Sequence, residues 1–182
     1  MKIFVSDYGT YNEYGIIGKW FDLLEFDSAK EFVKSVFEYF KELDKKYPLL
    51  NGAREEPMYQ DFEGFPNNFY SESMGEKSLE RLFDFAEFVR EKEQSEIDCF
   101  ISMIEHFGCN EVANAIEIYE NNYQGYYKEF SEFAYQHKAE YFDCLFDKNL
   151  IQAIEPFFDY KHYEHELRHS YANIDGHVFL SH

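Results

Sequence analysis

The stretch MGEKSLERLFDFAEFVR, residues 74–90, carried on by Glu91, is where the chain's pattern is most regular. At helical period Leu79, Leu82, Phe83, Ala86 and Val89 share one face, while Glu76, Glu80, Asp84, Glu87 and Glu91 recur at steps of four, four, three and four. One helix therefore carries an apolar stripe and an acidic stripe. Residues three or four apart on a helix sit about 5–6 Å from each other, so the second stripe spaces negative charge on the scale of phosphates along a nucleic-acid strand. Like charges at that spacing cost a few tenths of a kcal/mol per pair. A solvated face is the simple reading of one such stripe; the rest of the chain bears on whether it suffices.

Across 182 residues there are 36 acids and 17 bases, a formal charge of −19. That excess excludes direct nucleic-acid binding, which needs Lys and Arg against phosphates, and favours basic partner surfaces. Acidic chains short of aromatics stay disordered, but this one has 21 Phe, 16 Tyr and one Trp, enough for compact aromatic cores at about 150–250 Å² buried per ring. The three cysteines have no framework spacing, the N-terminus MKIFVSDYG has no apolar leader core, and no run of ~18 apolar residues occurs. The expectation is a soluble cytoplasmic protein without membrane contact.

Outward from the central stretch, residues 2–23 read as a hairpin, with a strand at Ile3 to Val5, turn residues from Gly9 to Gly15 and a return from Ile16. A helix follows, opened by a Ser28/Glu31 capping box, with Ala29, Phe32, Val33, Val36, Phe37, Phe40 and Leu43 inward. Its outer face offers Glu31, Glu38 and Glu42, interleaved with Lys30, Lys34 and Lys41. Residues 48–73 read as one short strand and a linker. The helical pattern of residues 75–107 breaks near residues 93–95, where Ser95 can cap a second helix, and Gly108 closes it. A short helix over 111–120, a strand or ordered loop at 121–127, a helix over 129–146, a short helix opening near Asp159, a turn at Asp175-Gly176 and a final strand at 177–180 complete an α+β chain.

Four segments, SDYGTYNEYGIIGKWFDL (6–23), DFEGFP (61–66), IYENNYQGYYKEFSEFA (118–134) and FFDYKHYEHEL with IDGHVF (157–179), occur in this order. The set resembles the ArdA antirestriction proteins over almost the whole chain. That resemblance implies a homodimeric DNA mimic from mobile genetic elements that occupies the DNA-binding groove of type I restriction–modification enzymes and blocks restriction, and often modification, without catalysis. It also implies an elongated chain of three small domains: 1–73 α+β, 74–110 helical, and 111–182 α+β with the dimer contact. Boundaries drawn from pattern alone, near 73 and 111, fit that division. The partner-binding acids would be Glu76, Glu80, Asp84, Glu87, Glu91, Glu31, Glu38 and Glu42. The family's motif, Tyr-Gln-Gly-x-Tyr followed by acids, corresponds to Tyr123, Gln124, Gly125, Tyr127, Glu132 and Phe133; Lys128 departs from it, so a place near the subunit contact is as good a reading as a place on the acidic track. B-DNA carries one charge per ~1.7 Å, so a dimer at 2 × −19 = −38 matches roughly 19 base pairs.

His165-Glu166-Leu167-Arg168-His169 spells HExxH, with His162 one turn earlier. In zinc peptidases this places two imidazoles and a basic carboxylate on one helix face. A five-residue pattern is cheap among seven His and 36 acids, and only thirteen residues remain after it for a cleft and a third ligand such as Asp175, His177 or His182. The expectation is solvated histidines, no metal, no cofactor and no enzyme activity, with incidental metal uptake as the alternative for this helix. An acidic module against some other basic DNA-binding partner would show the same charge.

Overall fold

The computed structural model describes residues 1–50 and 52–181. It is α+β and divides into two compact units, Met1–Val112 and Ala113–His182; residue 73 falls inside the first.

In the first unit, β1 (Lys2–Asp7) is the central strand, flanked antiparallel by β2 (Lys19–Asp22) and β3 (Pro57–Glu63). Alternation sends Ile3 and Val5 into the core. The β1–β2 pairing agrees with the hairpin reading, but the connection differs from it: residues expected to turn instead form helix α1 (Tyr8–Tyr14). Asp7 explains this. Its carboxylate accepts from the Thr10 N–H at 2.8 Å and from the Thr10 hydroxyl, so the chain leaves the strand directly into a capped helix.

Helix α2 (Ala29–Lys46) buries Phe32, Val36, Phe40 and Leu43 over the sheet. Ser28 caps it as expected, accepting from the Glu31 N–H at 3.3 Å, whereas the Glu31 carboxylate reaches past Ser28 to the Asp27 N–H at 3.0 Å. Helix α3 (Glu76–Val89) buries Leu79, Leu82, Phe85, Ala86 and Val89. Here Phe85, not Phe83, is the fully buried ring, because α3 also packs against α4 (Gln94–Phe107), where Phe85 meets Phe100 with centroids 6.2 Å apart; Phe83 is half-buried beside Phe32. Helix α4 starts one residue before Ser95: the Glu93 N–H donates to the Glu96 carboxylate, so an acid three residues along displaces the serine as the capping device.

Helix α5 (Val112–Asn122) leads into the second unit. There β6 (His177–Leu180) lies between β4 (Tyr123–Tyr126) and β5 (Tyr171–Ile174), all antiparallel. Asp175 and Gly176 join β5 to β6 with positive φ at both positions, 52° and 89°, the geometry of a tight hairpin turn. Helix α6 (Phe130–Leu145) places Phe130, Phe133 and Ala134 against Leu167 of α8 (Tyr160–Leu167) and Val178 of β6. Helix α7 (Lys148–Ile154), capped by Asp147, was not expected; it buries no side chain, so its apolar period is faint.

Candidate partner-binding surface

Glu76, Glu80, Asp84, Glu87 and Glu91 are all exposed, four on α3 and Glu91 just past its end. Among the described residues none of the five carboxylates forms an ion pair. The arginines of the same stretch are engaged elsewhere. Arg81 donates to the Asn110 carbonyl at 3.0 Å and lies 4.7 Å over the Phe69 ring. Arg90 donates to the carbonyls of Phe26 at 2.6 Å and Leu24 at 3.3 Å. Arg90 also lies 4.0 Å from the Asp27 carboxylate, and among the described residues neither arginine forms an ion pair with the five acids of the row.

Glu80, Asp84 and Glu87 border an open cleft of about 500 Å³, together with Asp27, Phe83 and Arg90. Asp27 joins this cluster from the start of α2, which periodicity within α3 had no means of revealing. Glu76 and Glu80 also edge a second groove of about 520 Å³, whose floor is apolar, from Val33, Phe37, Tyr59 and Leu79. Burial there pushes the Tyr59 phenol up to about 12. Of the α2 acids, Glu31 is tied to the Asp27 N–H, while Glu38 and Glu42 are exposed but border neither groove.

The residues 123–133 motif lies in the second unit and serves largely to build it. Tyr123 stacks on Tyr119 with centroids 5.1 Å apart, and its hydroxyl hydrogen-bonds His177 Nδ1 at 2.9 Å. At Gly125 the β4–β6 register shifts, φ is 123°, and an added Cβ would sit 3.3 Å from the Tyr127 ring. Glycine permits that kink. Tyr127 packs edge-on to Phe133, which is buried, and Glu132 reaches back to the Glu129 N–H as a helix cap. Gln124 is exposed and donates to the Asn122 carbonyl. Beside the motif, Tyr126 is 63 % exposed, with its ring centre 5.1 Å from that of His177.

His137 and Lys138 had no place in the sequence reading. His137 Nδ1 meets the Tyr163 hydroxyl at 2.8 Å and Nε2 the Tyr171 hydroxyl at 3.2 Å; burial lowers its pKa, opposed by Glu140. Lys138 is 4 % exposed, pairs with Glu155, and sits 5.2–5.4 Å from the ring centres of Phe142, Phe158 and Tyr160. Burial works against its charge, but the hydrogen bonds and charges of Glu155 and Tyr160 together outweigh it and raise the pKa.

Of the HExxH residues, His165 and Glu166 lie on α8 and His169 in the turn after it; one ligand atom from each comes within 4.8 Å of the others. His162, Asp175 and His177 do not join that group, and His182 lies outside the described residues.

A family model described as Antirestriction protein (ArdA) matches residues 3–179. No curated protein and no solved structure matches the chain.

Proposed function

The chain belongs to the ArdA family of antirestriction proteins, and we propose that it acts as an acidic homodimeric DNA mimic that occupies the DNA-binding groove of a type I restriction–modification enzyme. The observation that carries this reading is the row of five exposed carboxylates along residues 76–91, none of them ion-paired among the described residues, while the arginines between them bond to backbone carbonyls. A row of that kind is the surface a groove lined with Lys and Arg would draw in by releasing its counterions.

Under this reading inhibition is steric and electrostatic, and no bond is made or broken. The mimic shows no base edges, so it acts across enzymes of different sequence specificity and blocks modification as well as restriction. Residues 74–110 form the middle of the track and residues 111–182 supply the subunit contact, with Tyr126 a natural participant. Among the described residues no helix is long and apolar enough to cross a membrane, and the site of action is the cytoplasm of the bacterial host carrying the mobile element.

The test is competition. Purified protein should displace a fluorescent duplex from a type I methyltransferase core, with an affinity that falls steeply between low and physiological salt. Failure to displace by a folded dimer would reject mimicry of that enzyme's DNA.

A further inference from the structure

We propose that His165, Glu166 and His169 form a surface site for a divalent transition-metal ion of the zinc class. This is independent of the antirestriction reading. All three residues are exposed, and one donor atom of each lies within 4.8 Å of the other two. The imidazoles lie with ring centres 5.2 Å apart. The backbone beneath them is set by the end of α8, where the Arg168 N–H donates to the Glu164 carbonyl and the His169 N–H to the Glu166 carbonyl.

Among the described residues no hydrogen bond or ion pair ties down the three side chains, so all are available as ligands. The cation between them is turned away: Arg168 bonds the Glu164 carboxylate at 2.6 Å and its guanidinium lies 4.2 Å over Phe130. Two imidazoles and a carboxylate are donors that suit zinc, copper and nickel. Bonds of about 2.0–2.2 Å place the ligands of a tetrahedral ion about 3.3–3.6 Å apart. Rotation of exposed side chains covers the difference from 4.8 Å. Glu166 is a ligand in this arrangement rather than a base, water completes the shell, and the ion fastens the turn after α8 to the helix.

Equilibrium dialysis of the untagged, metal-stripped full chain against zinc alone tests the site, with thermal unfolding as a second readout. The expected result is one ion per chain and a higher unfolding midpoint with zinc. His165→Ala and His169→Ala should each weaken uptake on the order of tenfold or more and abolish the midpoint shift. Glu166→Gln should weaken uptake less, and His162→Ala should leave it unchanged. The metal-free midpoints of the variants should match the parent, since the side chains are exposed. No uptake by the parent chain overturns the proposal. Uptake that survives in both His165→Ala and His169→Ala does so too, as does uptake lost instead in Cys144→Ser, the exposed thiol.

Discussion

The two units carry nearly the same density of charge and use it differently. Residues 1–112 hold 24 acids against 12 bases, a formal −12, and residues 113–182 hold 12 against 5, a formal −7. In the first unit the excess includes a periodic exposed row, and the buried cation, Arg54, is fully engaged: Nε bonds Asp7 at 3.1 Å and Thr10 at 3.0 Å, and the other nitrogens bond Asp44 and the Tyr47 carbonyl. In the second, the buried cation is Lys138, held by one carboxylate and three rings, and six of the chain's seven histidines gather there. Net charge thus says little about which surface a partner meets. Where the cations are placed decides which acids stay unpaired.

The largest expected effect comes from the buried cations. Arg54→Met strands Asp7, whose side chain is 2 % exposed, and should cost about 3–5 kcal/mol in urea unfolding, as breaking a buried pair does. Lys138→Met should cost clearly less, because the side chain of its partner Glu155 is 38 % exposed and can rehydrate. Equal losses would erase this distinction between the units.

Next in size is the row itself. Changing Glu76, Glu80, Glu87 and Glu91 to Gln and Asp84 to Asn together should weaken duplex displacement at least about tenfold, some 1.4 kcal/mol, and flatten its salt dependence. Neutralising the exposed Glu117, Glu120 and Asp143 of the second unit should change it less than about threefold by the same scale. The reverse order would move the contact surface to the other unit.

A smaller effect separates the units by pH. Burial holds the imidazoles of His137 and His177 below their ordinary value, against the pull of Glu140 and Asp175. On acidification the unfolded chain takes up these protons first, so their contribution to stability is complete above about pH 6.5 and is lost as pH falls through the lowered folded values. Unfolding midpoints at pH 7.5 and 5.5 should differ, and His137→Gln should narrow the gap; an identical gap in the variant would remove His137 from the account. Smallest of all, Glu80→Gln alone should alter displacement by less than about twofold, because exposed pairs contribute little singly.

Much of the fold was legible because its signals are local. The inward faces of α2 and α3, the Ser28 and Asp159 caps, the close of α4 at Gly108 and the Asp175-Gly176 turn all follow from spacing within a few residues. The misreadings share a cause, which is competition between neighbours. Asp7 caps α1 where glycines suggested a turn, Glu93 and Glu96 replace Ser95, and Phe85 outranks Phe83 once α4 supplies a second packing partner. At the candidate surface, the acids of α3 were identifiable by period, whereas Asp27 and the diversion of Arg81 and Arg90 were not.

By itself the sequence determined the charge, the aromatic content, the helical period of the acidic row and the family resemblance, because each is a property of composition or of neighbours along the chain. Only the tertiary structure decided which carboxylates stand unpaired and that Lys138 and His137 turn inward. Those outcomes depend on which side chains meet across elements apart in sequence, and a buried ion pair exists only when the packing brings its partners within bonding distance.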